Sequence, residues 1–89
     1  MNELEVVLLQ LGPVPGELRS NVDRYVRAVR AHGAGADLIV TPELATSGYD
    51  VAVLAKRGAE LAEPLDGPSV SVTAELAAEL NTSVVLGLL

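Results

Sequence analysis

Eighty-nine residues allow one small domain, and with 49% hydrophobic residues and a mean hydropathy of +0.38 it is more apolar than its surface-to-volume ratio suits. Such an excess calls for a covering partner or for the rest of a larger fold. Six basic against twelve acidic residues give a net charge of −6, which excludes a phosphate-gripping surface, and the lack of cysteine excludes disulfides, thiolate catalysis and thiolate metal sites within these residues.

Leu4 to Leu11 is a nearly continuous apolar run with β-branched residues, which predicts a strand covered on both faces, as in a parallel sheet. Gly12-Pro13-Val14-Pro15-Gly16 stops it, because proline cannot donate to a ladder. Leu18, Val22, Tyr25, Val26 and Val29 then form the stripe of an amphipathic helix. Ser20 and Asp23 have capping-box-like spacing, so the helix can start as late as Ser20, and Gly33 marks its end.

Ala36 to Thr41 reads as a second strand, closed by Pro42. Between Pro42 and Pro68 the pattern is irregular, with room for a short helix over Val51–Leu61. Ser69 to Leu80 is helical, with Ser69 as N-cap and Asn81 as terminator. Ser83 to Leu89 is a third strand. The order strand–helix–strand–irregular–helix–strand predicts an α/β fold of parallel strands joined by crossovers. The final strand carries no polar tail or closing turn, so the sequence reads as a domain that is cut, with residues 1–89 its N-terminal part.

Most chemical signatures fail. Arg19, Arg24, Arg27 and Arg30 recur at helical spacing and read as a solvated face; with Tyr25 and Tyr49 the only aromatics, no base-stacking platform exists. Gly33-Ala34-Gly35 precedes a strand where a dinucleotide fingerprint follows one. Gly67-Pro68-Ser69-Val70-Ser71 lacks the last glycine of a nucleophile elbow. His32, the single histidine, sits where a cationic side chain suits a helix C-terminus. The acidic start, Met1 to Glu5, is unlike a basic signal peptide, and the following apolar run is too short to span a bilayer. The expectation is a cytoplasmic protein that binds neither nucleic acid nor membrane.

Glu43 stands just past the second strand, where open parallel sheets bind their ligands and a carboxylate is placed for general-base work. Spacing alone leaves this open against a solvated turn glutamate. The surrounding words favour the first reading. Asp37-Leu38-Ile39-Val40-Thr41-Pro42-Glu43-Leu44, followed by Ser47-Gly48-Tyr49, resembles the segment of nitrilase-superfamily carbon–nitrogen hydrolases that carries the catalytic glutamate. Val7-Leu8-Leu9-Gln10, Asn21, Ala62-Glu63-Pro64-Leu65-Asp66-Gly67-Pro68-Ser69 and Val84-Val85-Leu86-Gly87 are similar, in order, to the family's first strand, first-helix asparagine, linker and third strand.

This resemblance implies an α-β-β-α sandwich, of which the chain holds a β-α-β-α-β portion. It also implies hydrolysis of non-peptide carbon–nitrogen bonds without metal or organic cofactor, by a cysteine nucleophile, a lysine at the oxyanion and a glutamate base. Glu43 is then the base, and Tyr49 lines the pocket entrance. Lys56, the single lysine, does not match the family's lysine, and the nucleophile is absent, so the 89 residues alone are expected to be inactive. The wording is most similar to aliphatic amidases of the aminopentanamidase or R-amidase kind, with carbamoyl amidases and the glutaminase part of NAD synthetase as alternatives. The implied partners are a small amide substrate for the complete enzyme and a second copy through exposed apolar surface. A non-catalytic module that pairs with another chain, and an unrelated small α/β domain, are the competing readings.

Overall fold

The structure, a computed structural model, describes residues 3–89, so the first two residues of the acidic N-terminal reading lie outside it. Six elements follow in chain order: β1 (Val6–Leu8), α1 (Leu18–His32), β2 (Leu38–Val40), α2 (Val51–Leu61), α3 (Pro68–Leu80) and β3 (Ser83–Val85). The strands form one parallel sheet in the order β1-β2-β3, with Val7 opposite Ile39 and Ile39 opposite Val84. The expected α/β class and parallel pairing are what the chain adopts.

Two crossovers of the same hand, stepping in the same direction, put their helices on the same face of a sheet. Accordingly α1 and α3 pack together, and the core comprises Tyr25 and Val29 of α1, Leu76 of α3 and Ile39 of β2, with Val7 and Val84 against it. Buried Tyr25 donates its hydroxyl to Thr73 Oγ1 at 2.9 Å, and Thr73 passes its own proton to Ser69 O at 2.7 Å. This relay ties the helices through polar atoms that burial would otherwise leave unpaired. Burial pushes the Tyr25 hydroxyl above its ordinary value, and the bond to Thr73 offsets this only in part.

Among the described residues the opposite face of the sheet is largely open. Val6, Leu8 and Val85 are 45%, 69% and 51% exposed. The first strand was expected to be covered on both faces; only the Val7 side is. Its composition suits two-sided burial, but these residues supply helices for one side.

Local signals explain most of the helix ends. Helix α1 begins at Leu18, ahead of Ser20, and no side chain caps it. Gly33 ends it in a right-handed conformation, so left-handed freedom is not why glycine is there. A Cβ at Gly33 would lie 2.6 Å from Val29 O and 2.7 Å from Ile39 Cδ1, so close packing requires it. Helix α2 forms over the expected residues because Asp50 Oδ1 accepts the Val53 N–H at 3.0 Å, an N-cap that outweighs Gly58 in its interior.

Ser69 is not the N-cap of α3. Gly67 holds that position with Pro68 at the first helical turn, and the cap is supplied from upstream, where Glu63 Oε1 accepts the Ser69 N–H at 2.9 Å. A carboxylate there also suits the positive end of the helix dipole. Asn81 closes α3 in the left-handed region at φ 50°, as expected. Among the described residues no helix is long and apolar enough to cross a membrane.

Candidate active site

The carboxyl end of β2, the central strand, is where three separate pieces of chain meet. Pro42 forces the chain out of the sheet, and residues 43–47 form a turn. Its interior is closed to solvent: Leu44, Ala45, Thr46, Ser47 and Gly48 are all buried. Glu43 and Tyr49 flank it and are exposed, Tyr49 by 66%. Both sequence-derived site residues therefore stand at the two ends of one buried turn, with side chains accessible from outside.

A buried turn must find partners for its backbone, and three devices supply them. Asn21, 2% exposed on α1, donates through Nδ2 to Thr46 O and to Val14 O at 2.8 Å each, and its Oδ1 accepts Val14 N–H at 2.8 Å. One amide thereby fastens the turn, the loop after β1 and the first helix. Gly16 N–H donates to Ser47 O at 2.8 Å, and Gly48 lies so close to Pro15 that a Cβ would sit 2.8 Å from its Cα. Gly48 also has φ +75°, which side chains rarely adopt, so Ser-Gly-Tyr needs its glycine twice over.

The third device comes from the chain after β3. Ala45 N–H donates to Gly87 O at 2.9 Å, and Gly87 N–H donates to Thr41 Oγ1 at 2.9 Å. Leu44, next to Glu43, is held at φ 52°, a left-handed conformation costing a non-glycine residue about 1–2 kcal/mol. That strain persists because the flanking bonds, Ala45 to Gly87 and Gly48 N–H to Leu44 O at 2.9 Å, over-determine the turn. Thr46 Oγ1 is buried without a hydrogen-bond partner among the described residues.

Sequence reasoning singled out Glu43, Tyr49 and Asn21 and gave Thr41 and Gly87 no role of their own. The available signal was Gly87 itself: a glycine directly after an apolar strand marks close approach of another backbone. Lys56 lies exposed on α2, and His32 is exposed at the end of α1; neither belongs to the turn. A groove of about 710 Å³ runs between α1 and α3 along Leu18, Val22, Val26 and Val72. Neither Glu43 nor Tyr49 lines it, and its lining offers no base beyond Asp23.

With the geometry in place, the relatives can be compared. A Pseudomonas protegens protein named as a hydrolase in the pqqF 5' region is 37% identical over 94% of this chain and 28% of its own length. An (R)-stereoselective amidase of a Pseudomonas species is 30% identical over 94% of the chain and 30% of its own. A glutamine-dependent NAD(+) synthetase of Thermotoga maritima is 42% identical over 55% of the chain and 9% of its own. The chain thus spans less than a third of the length of these relatives. No solved structure matches it closely enough to add to this comparison. The family model for carbon–nitrogen hydrolases matches residues 5–89, essentially the whole chain with the glutamate-bearing turn inside it, and the chain belongs to that family.

Proposed function

We propose that this chain contributes the general base, Glu43, to an active site that hydrolyses non-peptide carbon–nitrogen bonds of small amides. The nucleophile and the oxyanion-stabilising cation come from residues outside these 89. The observation that carries the reading is an exposed carboxylate at the carboxyl end of the central parallel strand, on a turn whose backbone is otherwise buried and bonded. A base must be fixed to within tenths of an ångström of the proton it takes, and a strained, fastened turn provides that fixity. Such a base contributes to deprotonating the nucleophile, returning that proton to the leaving amine as the acyl-enzyme forms, and activating the water that then releases the acid and frees the nucleophile. Tyr49, at the far end of the turn, is placed to border the substrate entrance. Similarity to the (R)-stereoselective amidase supports an amide as substrate class.

The test is a chimera in which this chain replaces the matching stretch of the Pseudomonas protegens hydrolase. With an active chimera, Glu43→Gln should lower kcat by about 10²–10⁴-fold, the range of a general base. Glu43→Gln with kcat unchanged removes Glu43 from the reaction. The 89 residues alone should release no ammonia from a simple aliphatic amide above the buffer rate, because base catalysis without a nucleophile has nothing to activate.

A second reading rests on the bare sheet face. Val6, Leu8 and Val85 expose apolar side chains on one face of the sheet, a surface that suits a covering chain. In that reading the 89 residues act as a module that pairs with another polypeptide or with a second copy, whether or not Glu43 reacts.

A further inference from the structure

The β2–β3 ladder changes its chemistry at its last rung. Ser83 N–H donates to Asp37 O at 3.2 Å and Thr41 N–H to Val85 O at 3.0 Å, the alternation of a parallel pair. Four residues beyond the Ser83–Asp37 bond on each strand, the same alternation would have Gly87 N–H donate to the backbone carbonyl of Thr41. It donates instead to the Thr41 hydroxyl, at 2.9 Å. The hydroxyl in turn donates to Val85 O at 3.0 Å. The Thr41 side chain thus stands in for its own carbonyl at the point where Pro42 turns the backbone away.

Gly87 gives an independent sign of how closely the two segments are fitted. A Cβ there would lie 2.1 Å from Pro42 O and 2.9 Å from both Glu43 Cα and Leu44 N. The backbone after β3 therefore runs directly against the peptide units on either side of Glu43. Its Gly87 carbonyl then receives Ala45 N–H, on the far side of the glutamate. Thr41 and Ala45 bracket Glu43, and both are bonded to the same glycine.

We propose that Thr41 is a positioning residue: its hydroxyl carries the sheet ladder past the proline and sets where Glu43 projects. This rests on Glu43 being the base, but its structural half stands without it. The hydroxyl is required for both bonds, and Thr41 is buried, so water is poorly placed to replace it. A serine keeps the hydroxyl and loses only a methyl; a valine keeps the shape and loses both bonds.

The experiment pairs Thr41→Val with Thr41→Ser. In the 89-residue chain, amide exchange read by NMR should quicken about 5–10-fold at Gly87 and Ala45 in Thr41→Val, the effect of one lost hydrogen bond. Exchange at Val29 in α1 should not change, and Thr41→Ser should match the unaltered chain. In the active chimera, Thr41→Val should lower kcat by about 10–100-fold with KM nearly constant, the signature of a misplaced reacting group, and Thr41→Ser should restore it. Wild-type exchange at Gly87 in Thr41→Val, or a serine variant as impaired as the valine one, overturns the proposal.

Should Thr41→Val not fold, the unaltered chain still decides the structural half. The Thr41 hydroxyl proton should be observable in slow exchange, with a nuclear Overhauser contact to the Gly87 amide proton; its absence overturns the assignment. Failure of the base assignment is read separately, as kcat unchanged in Glu43→Gln while the exchange pattern holds.

Discussion

The carboxyl end of the sheet and its bare face are made by the same three strands but are finished to different degrees. Around residues 41–48, Asn21, Gly16 and Gly87 hold the turn from three directions, and an unfavourable φ at Leu44 is tolerated. On the bare face, Val6, Leu8 and Val85 leave much of their apolar side chains in solvent among the described residues. Hydrogen bonds and close backbone contacts are thus concentrated around the turn that carries Glu43, while the apolar face is left open. The turn that bears Glu43 is fastened by hydrogen bonds made within the described residues.

Asn21→Ala should break that contrast most severely. It removes three hydrogen bonds and leaves Val14 N–H, Val14 O and the buried Thr46 O to find other partners. At about 1 kcal/mol or more for each group left unpaired, the loss should be on the order of 3 kcal/mol, a large fraction of the stability of a small domain. Urea unfolding followed by circular dichroism measures it; a loss below about 0.5 kcal/mol, the scale of an ordinary surface substitution, would show the turn to be held by other means.

Gly87→Ala comes next. The added methyl meets the Pro42 carbonyl and the Glu43 backbone, which cannot swing aside as a side-chain tip can. Overpacking of this kind costs about 1–3 kcal/mol. The damage should be local, with amide shifts largest at Glu43, Leu44 and Ala45 and small at Leu76 in the core. Uniform shifts across the chain would mean that the approach of Gly87 to the turn is not the tight point described.

How much of this could be read in the sequence follows from the range of each interaction. The spacing of Tyr25 and Val29 displays the core face of α1, and Pro42-Glu43 shows where a carboxylate leaves the sheet, because both are written in neighbouring residues. Strand ends were less legible: the apolar runs at Leu4–Leu11 and Ser83–Leu89 pair over only Val6–Leu8 and Ser83–Val85. A strand ends where its neighbour departs, and that depends on distant residues. Thr41 is a case in point, since its role is set by Gly87, 46 positions away. Ser69 was misread as a cap for the same reason, its amide being taken by Glu63 once the linker folds back. Pro68, a residue at home in the first helical turn, was the local clue.

Tyr25→Phe should have a smaller effect and adds a pH dependence. It deletes the bond to Thr73, whose hydroxyl keeps its own bond to Ser69 O, so the loss should be about 1 kcal/mol. Because burial raises the Tyr25 hydroxyl above its ordinary value, the unfolded chain gives up this proton first. Its contribution is present in full below pH about 10, the ordinary tyrosine value, and is lost as pH rises through the higher folded value. Unfolding midpoints of the two chains should therefore converge above pH 10; a constant gap would place Tyr25 in a wetter setting than the α1–α3 interior.

The smallest effect on stability should come from the bare face, and there the two regions differ most clearly in kind. Val6→Thr with Leu8→Thr replaces exposed apolar groups by a residue that suits strands equally well. Side chains already in water lose little burial when shortened, so the unfolding free energy should change by less than about 0.5 kcal/mol. Self-association should change far more, because apolar area is what a second copy or another covering chain would use. Sedimentation velocity at increasing concentration should show the unaltered chain gaining mass and the double variant remaining monomeric. If the double variant instead unfolds several kilocalories more easily while its mass distribution is unchanged, the face is already covered within the chain. The contrast between a finished turn and an open face would then fail at its second term, leaving the fastening of Glu43 intact.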